Sequence, residues 1–288
     1  MSTGLDLYDR AAQDAAATII AAYSTSFSLA TRLFGARVRP HVRNVYALVR
    51  IADEIVDGPA AEAGLPPETL RRVLDELEAE TLTALSRGFS SNLVVHAFCR
   101  TARETGIDAS LVRPFFASMR TDLDVAAHDA QSHDAYVYGS AEVVGLMCLQ
   151  VFLNAGESGL LAPSPELTDG ARRLGAAFQD VNFLRDLDHD ATALGRDYLG
   201  VRSDGPARTQ VLDRIDADLA AAAAVVPQLP SDCRRAVTAA HDLFASLARR
   251  LREDDRTGGA LRVRVPDPVK AGLAARAMLG FGPRGART

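Results

Sequence analysis

Apolar residues recur at the helical period along almost the whole chain, and this pattern constrains the fold more than any other feature. It predicts helices over about 5–22, 40–57, 68–86, 91–105, 109–126, 133–155, 166–189, 207–226, 231–254 and 267–280. A chain of 288 residues, 48% of them hydrophobic, is long enough to bury one large core. We therefore predict a single all-α domain over 1–288, with a frayed tail at 282–288.

Composition argues against several classes of protein. The net charge is −5 and Lys270 is the only lysine, so a nucleic-acid-binding face is not expected. Cys99, Cys148 and Cys233 have no metal-ligand spacing and suit a reducing compartment. The N-terminus lacks a basic stretch followed by an apolar one, and no uninterrupted apolar run is long enough to cross a bilayer. These features predict a cytoplasmic protein.

The helix predicted over 40–57 carries a polar stripe that ends in a cluster of acids. Pro40 can occupy its first turn, and Gly58 ends it. On one face, or directly beside it, lie Tyr46, Arg50, Asp53, Glu54 and Asp57. The last turn of a helix is the negative end of its dipole, so a carboxylate there costs about 0.3–1 kcal/mol unless a cation offsets it. Three carboxylates in that turn indicate either a metal site or a solvated, salt-bridged helix end.

The helix predicted over 166–189 repeats this arrangement. Gly175, Gln179, Asn182, Asp186 and Asp190 follow one face, and the carboxylates again gather towards the C-terminal end. Two helices with acids at the same disfavoured end favour a shared site for a polyvalent metal. The irregular segment 191–206 follows directly, and it is either an arginine-bearing lid for an anionic ligand or an ordinary exposed loop.

Other segments have both ordinary and functional interpretations. The break that contains Ser24 and Ser26 either caps a helix locally or donates hydrogen bonds to an oxyanion. The helix at 133–155 is almost uncharged and must be buried on most sides, with Glu142 paired to an arginine. Asp122 and Asp124 do not share a helical face, so we interpret them as surface residues.

The chemistry that needs these parts is ionisation of a diphosphate. Mg²⁺ prefers oxygen ligands and is typically held by one or two carboxylates together with substrate phosphate oxygens. Metal and arginine stabilise the leaving diphosphate. If the organic part is allylic, its departure leaves a carbocation that needs a dry cavity, and apolar helices can supply one.

Several motifs resemble those of the squalene/phytoene synthase family, in the same order along about residues 20–200. They are Ser24-Thr25-Ser26-Phe27, Arg50-Ile51-Ala52-Asp53-Glu54-Ile55-Val56-Asp57, Tyr136-Val137-Tyr138-Gly139, and the segment from Gln179 to Asp190 followed by Gly195-Arg196-Asp197-Tyr198-Leu199. The resemblance implies an isoprenoid-synthase helical bundle with a central cavity that joins two prenyl diphosphates head to head. Glu54 stands where the family usually has an aspartate, and His189 where it commonly has an acid.

The resemblance also implies roles for individual residues. The implied Mg²⁺ ligands, with Mn²⁺ as a substitute metal, are Asp53, Glu54, Asp57, Asn182, Asp186 and Asp190. The implied catalytic residues are Arg50, Tyr136 and Tyr198. The implied substrate-binding residues are Ser24, Ser26, Phe27, Thr31, Arg50, Tyr136, Gln179, Arg185 and Arg196.

The segments around 26–32 and 136–140 are most similar to bacterial carotenoid enzymes, which implies two geranylgeranyl diphosphates as substrates, phytoene as product and no NADPH. Squalene or dehydrosqualene synthesis from farnesyl diphosphate is the alternative, and a non-catalytic scaffold protein is the alternative from another class. A chain-elongating synthase is disfavoured because this chain lacks lysines near its start, and a terpene cyclase because its second metal motif is absent from 178–192. Weak peripheral contact with the inner face of the membrane and contacts with neighbouring carotenoid enzymes are further expectations.

Overall fold

The computed structural model describes residues 3–24, 30–124, 130–189, 205–257 and 263–284. Its helices are α1 (Gly4–Tyr23), α2 (Arg39–Val56), α3 (Pro59–Glu62), α4 (Pro67–Arg87), α5 (Leu93–Thr105), α6 (Ala109–Asp124), α7 (Ala130–Val137), a π-helical turn (Tyr138–Glu142), α8 (Val143–Asn154), α9 (Pro165–His189), α10 (Gly205–Val225), α11 (Ser231–Thr257) and α12 (Asp267–Met278). The prediction of an all-α fold is confirmed, and most predicted helix ends lie within three residues of the observed ones. The prediction of a single domain stays a prediction.

Local chemistry explains where the helices begin and end. The Asn92 side chain caps α5 by accepting hydrogen bonds from Val94 N at 3.0 Å and Val95 N at 3.3 Å. Gly106 ends α5 with φ +81°, a left-handed conformation that a glycine adopts without steric cost. Pro40 lies in the first turn of α2, as predicted, and Asp57 is its C-terminal cap.

The almost uncharged helix of the prediction is α7, the π-turn and α8 in continuous succession. The stretch Ser132–Asn154 is long and apolar enough to span a membrane by length and composition alone, although Asp134 and Glu142 interrupt its apolar residues. Half of it is buried inside the bundle, as in a core helix of a globular protein. Its acid Glu142 pairs with Arg172 at 2.6 Å, which confirms that prediction.

Glycines let this helix lie directly against α9. A Cβ on Gly175 would stand 2.5 Å from the Ala141 carbonyl oxygen, and a Cβ on Gly145 would collide with the Ala171 carbonyl. The contacts pair 145 with 171 and 141 with 175, so the two helices run antiparallel with their backbones in contact. This contact fixes the height of each helix against the other.

The predicted frayed tail is wrong as far as Arg284. The Arg284 backbone N–H donates to Asp242 Oδ1 at 2.7 Å, and the Arg276 guanidinium donates to Asp242 Oδ2 at 2.7 Å. The Asp242 side chain is 1% exposed, so this acid anchors the C-terminal segment to α11. Residues 285–288 lie outside the described residues.

Candidate active site

The first acidic cluster lies at the C-terminal end of α2. Glu54 forms an ion pair with Arg50, whose guanidinium also lies 4.6 Å from the centre of the Tyr23 ring. Burial raises the pKa of Asp53 well above its usual value, the Asp57 carboxylate raises it further, and Arg50 opposes both. Burial and the neighbouring carboxylate therefore outweigh Arg50, so the charged form of Asp53 is disfavoured.

Asp122 belongs to the same cluster, and its interpretation as a surface residue is wrong. It lies at the end of α6, is 8% exposed, and is a further negative charge that raises the pKa of Asp53. Its Oδ2 accepts a hydrogen bond of 3.0 Å from the Tyr136 hydroxyl. Sequence reasoning missed it because the residues that bury it come from other helices. The available signal in the sequence was the position of Asp122 two residues before another acid, Asp124.

The second acidic cluster lies towards the end of α9. Asn182 and Gln179 both line the cavity described below. Asp186 pairs with the neighbouring Arg185 at 2.6 Å. Asp190, Arg196 and Tyr198 lie outside the described residues, so their predicted roles stay predictions.

Tyr136 lies between the two clusters. Its hydroxyl binds Asp122 on the side of the first cluster, and its ring lies 5.9 Å from that of Phe183, which follows Asn182 on α9. Tyr136 is 5% exposed. The contact between α9 and the helix that carries Tyr136 brings these residues to the same level, so one buried tyrosine connects motifs that are far apart in the sequence.

A cavity of about 260 Å³ lies inside the bundle. Val49, next to Arg50, lines it from α2, and Gln179 and Asn182 line it from α9, so both motif-bearing helices border one hollow. From Asn182 the lining continues along α9 to Leu167, a distance of about 22 Å at 1.5 Å per residue. The walls are mostly apolar and include Phe34, Leu149, Phe152, Phe178, Val225, Val237 and Phe244.

The predicted substrate-binding residues of the N-terminal part are described only in part. Thr31 is 1% exposed and lines the cavity. Ser24 follows α1 and forms a side-chain hydrogen bond with Tyr46, which partly offsets the rise in the pKa of Tyr46 that burial causes. Ser26 and Phe27 lie outside the described residues.

The donor chemistry of the site fits Mg²⁺. No three carboxylates, histidines or cysteines converge as a metal cage within the described part of the chain. Mg²⁺ needs no such cage, because it keeps waters and shares its ligands with substrate phosphates. A divalent cation would offset the repulsion that Asp57 and Asp122 exert on Asp53, and Asn182, which lines the cavity, has a neutral amide oxygen.

Comparison with known proteins agrees with this geometry. A model described as squalene/phytoene synthase matches residues 20–202. The chain is 29% identical over 272 residues to a 15-cis-phytoene synthase from Paracoccus sp., across 87% of this chain and 85% of the relative. It is 32% identical over 197 residues to the chloroplastic phytoene synthase 1 of Arabidopsis thaliana, across 67% of this chain and 43% of that longer protein.

Solved structures share the fold. A dehydrosqualene synthase in complex with ligand superposes with a TM-score of 0.78 at 22% identity, across 94% of this chain and 97% of the other. A squalene synthase from Alicyclobacillus acidocaldarius gives 0.74 at 18% identity, across 88% and 97%. The family match, which covers more than half of the sequence, settles the classification: the chain belongs to the squalene/phytoene synthase family, prenyltransferases that condense prenyl diphosphates head to head.

Proposed function

We propose that this enzyme joins two geranylgeranyl diphosphates to phytoene in a Mg²⁺-dependent reaction, with Mn²⁺ as a substitute metal, through a cyclopropylcarbinyl diphosphate and without NADPH. One observation carries the proposal: one mostly apolar cavity is bordered by both motif-bearing helices and follows α9 for about 22 Å, from Asn182 to Leu167. A substrate with a charged head and a hydrocarbon tail of about that length needs a polar site joined to an apolar cavity.

The residues of the chain have separate tasks in this reaction. Arg50 and Arg185 lie at the two acidic clusters and can turn from their carboxylate partners to the diphosphates. Mg²⁺ held by the carboxylates of the two clusters would supply positive charge that stabilises the departing diphosphate. The apolar walls exclude water from the carbocation, and the Tyr136 ring presents an aromatic face beside the site.

Cavity length and the named relatives favour the twenty-carbon substrate. An extended twenty-carbon chain measures roughly 20 Å, close to the rise of α9 between Leu167 and Asn182. The relatives in Paracoccus and Arabidopsis are both named phytoene synthases. Synthesis of squalene or dehydrosqualene from farnesyl diphosphate remains the rival activity, since solved proteins of the same fold carry those names.

The deciding experiment incubates purified protein with geranylgeranyl or farnesyl diphosphate, with Mg²⁺, Mn²⁺ or EDTA, and with or without NADPH. We expect a forty-carbon hydrocarbon from geranylgeranyl diphosphate, equal yields with and without NADPH, and no product in EDTA. Turnover of farnesyl diphosphate alone would reject the chain length. Absence of product from both substrates would favour the non-catalytic scaffold.

Thr31 tests the origin of chain-length selectivity. Thr31→Phe places a larger side chain in the wall of the cavity and fills part of its space. We therefore expect the ratio of twenty-carbon to fifteen-carbon turnover to fall at least about tenfold, because a few methylenes change substrate selectivity by this much in other pockets. Competition between the two diphosphates measures this ratio. Thr18→Phe, on the exposed face of α1, is the control and should leave it unchanged. An unchanged ratio in Thr31→Phe would contradict this role.

The proposal includes a cytoplasmic protein with weak peripheral contact with the membrane and with enzymes that supply its substrate or use its product. The exposed Met278, Leu279 and Phe281 are 51%, 77% and 57% accessible and give this contact an apolar surface. Co-sedimentation with lipid vesicles tests it, and a protein that stays entirely in the supernatant would contradict it.

A further inference from the structure

A second, smaller hollow lies on the outer side of α11. It holds about 20 Å³ and is lined by six apolar residues and one lysine: Ala30, Leu33, Ala239, Leu243, Leu273, Ala274 and Lys270. These residues come from three parts of the chain: the segment after residue 29, α11 and α12. The hollow is therefore an apolar groove beneath the C-terminal helix.

Only small side chains separate this groove from the substrate cavity at Ala30 and Ala239. Ala30 lines both spaces. On α11, Ala239 and Leu243 border the groove, whereas their neighbours Ala240 and Phe244 border the cavity. The wall between the two spaces is thus one residue thick at Ala30 and one helix thick at α11, with alanines at its thinnest part.

The outer wall of the groove leads to exposed apolar side chains. Lys270, Ala274 and Met278 follow one face of α12 at intervals of four residues, and the first two border the groove. Met278 is half exposed, and Leu279 and Phe281 beside it are exposed further. An apolar path therefore runs from the cavity wall, under α12, to the protein surface.

We infer that the hydrocarbon product leaves sideways through this groove, between Ala30 and α12, and reaches the surface at Met278. The inference rests on the proposed function, because it needs a product without a diphosphate. Such a product is attracted to apolar surface because each methylene kept from water stabilises its contact with the protein. The groove offers it mostly apolar contact, and its one charged residue, Lys270, is paired with Asp267 at 3.1 Å.

The same arrangement explains the anchor at Asp242. This buried acid holds α12 through Arg276 and the segment after α12 through the Arg284 backbone, both at 2.7 Å. The groove-lining residues Leu273 and Ala274 precede these contacts on α12. The anchor therefore holds the C-terminal part of α12 in place next to the groove.

The test separates the first turnover from later ones. Ala274→Phe fills the groove, and Ala275→Phe places the same change on the exposed side of α12 as a matched control. Hydrocarbon formed from geranylgeranyl diphosphate is measured by rapid quench, with vesicles of phosphatidylcholine and phosphatidylglycerol present to receive it. For Ala274→Phe we expect a first turnover at the wild-type rate and later turnovers slowed at least about fivefold, because release then limits the rate. Ala275→Phe should match the wild type in both.

Leu33→Phe narrows the groove from the opposite wall and gives the answer if Ala274→Phe fails to fold, which circular dichroism reveals. Later turnovers at the wild-type rate in both folded groove variants would overturn the inference. So would an equal slowing of first and later turnovers, which would place the obstruction at the chemistry, or an equal effect of Ala275→Phe. Failure of the proposed function is distinct, because the wild type would then form no hydrocarbon in the first turnover.

Discussion

The two acidic helix ends look alike in the sequence and differ in how their charge is balanced. At the end of α2, Asp53 lies near Asp57 and Asp122, its pKa is raised well above the usual value by burial and by these carboxylates, and Arg50 is paired with Glu54. Towards the end of α9, Asp186 has the neighbouring Arg185 as a partner at 2.6 Å. At the first end two carboxylates raise the pKa of one buried acid, whereas at the second end Asp186 lies next to a guanidinium.

The pairing extends further along α9. Asp180, whose side chain is 2% exposed, accepts from Arg214 at 2.8 Å and lies 3.3 Å from the His133 ring. Each of these acids already has a cationic neighbour before any ligand binds. The first end is thus the better place for a cation, and the second offers an arginine that can exchange a carboxylate for a diphosphate. The two motifs are complementary and not duplicates.

Removing a carboxylate charge at either helix end should change the activity more than any other substitution considered below. We expect Asp53→Asn to lower kcat about 10²–10³-fold, because the group that holds positive charge against the leaving diphosphate is lost. Asp186→Asn should lower kcat less and raise KM for the diphosphate, since Arg185 loses its orienting partner. Steady-state kinetics at saturating Mg²⁺ measure both, and a Mg²⁺ titration should show the larger shift for Asp53→Asn. Equal shifts of the Mg²⁺ midpoint in the two variants would refute the difference between the ends.

The contact that aligns the two ends depends on Gly175. Gly175→Ala places a Cβ 2.5 Å from the Ala141 carbonyl oxygen, so α9 must move away from the helix that carries Tyr136. Overpacking of this kind costs about 1–3 kcal/mol, which thermal or urea unfolding measures. Gly272→Ala is the control, because a Cβ there meets no atom within 4 Å and the helix gains about 0.5–1 kcal/mol. A Gly175→Ala protein as stable as the wild type would mean that the helices accommodate the methyl group, and the close contact would not hold the ends in register.

The sequence predicts the helices and most of the site because both depend on local periodicity. The stripe of α2 from Arg50 to Asp57 follows from the 3.6-residue period. Asp122 could not be placed in this way, since its burial and its partner Tyr136 come from another helix. The difference in charge balance between the ends of α2 and α9 could not be predicted for the same reason, because it depends on which side chains meet in space.

Tyr136 connects the two ends, so its hydroxyl should have a moderate effect. We expect Tyr136→Phe to lower kcat about tenfold. A hydrogen bond to a charged group is worth about 1.5–3 kcal/mol, and part of the energy lost with it changes the position of Asp122 rather than the barrier to the reaction. Asp122→Asn keeps a side-chain acceptor for the tyrosine and should cost less. Kinetics of the two single variants and the double variant measure the coupling. Strictly additive losses would show that the hydrogen bond does not link these residues functionally.

The smallest effect, and the most direct test of the comparison, is on the stability of the metal-free protein. A carboxyl whose pKa is raised in the folded state binds its proton more tightly when folded, so the charged form of Asp53 lowers stability as the pH rises above about 4 towards that raised pKa. Asp53→Asn removes this loss, and we expect a higher Tm than the wild type at pH 7 in EDTA, by about 2–4 °C for each kcal/mol gained. Asp186→Asn breaks a partly exposed ion pair and should lower stability by at most about 1 kcal/mol. The difference should vanish near pH 4, and Mg²⁺ should stabilise the wild type more than Asp53→Asn. If Asp53→Asn melted below the wild type in EDTA at pH 7, the charged form of Asp53 would not be disfavoured at the end of α2.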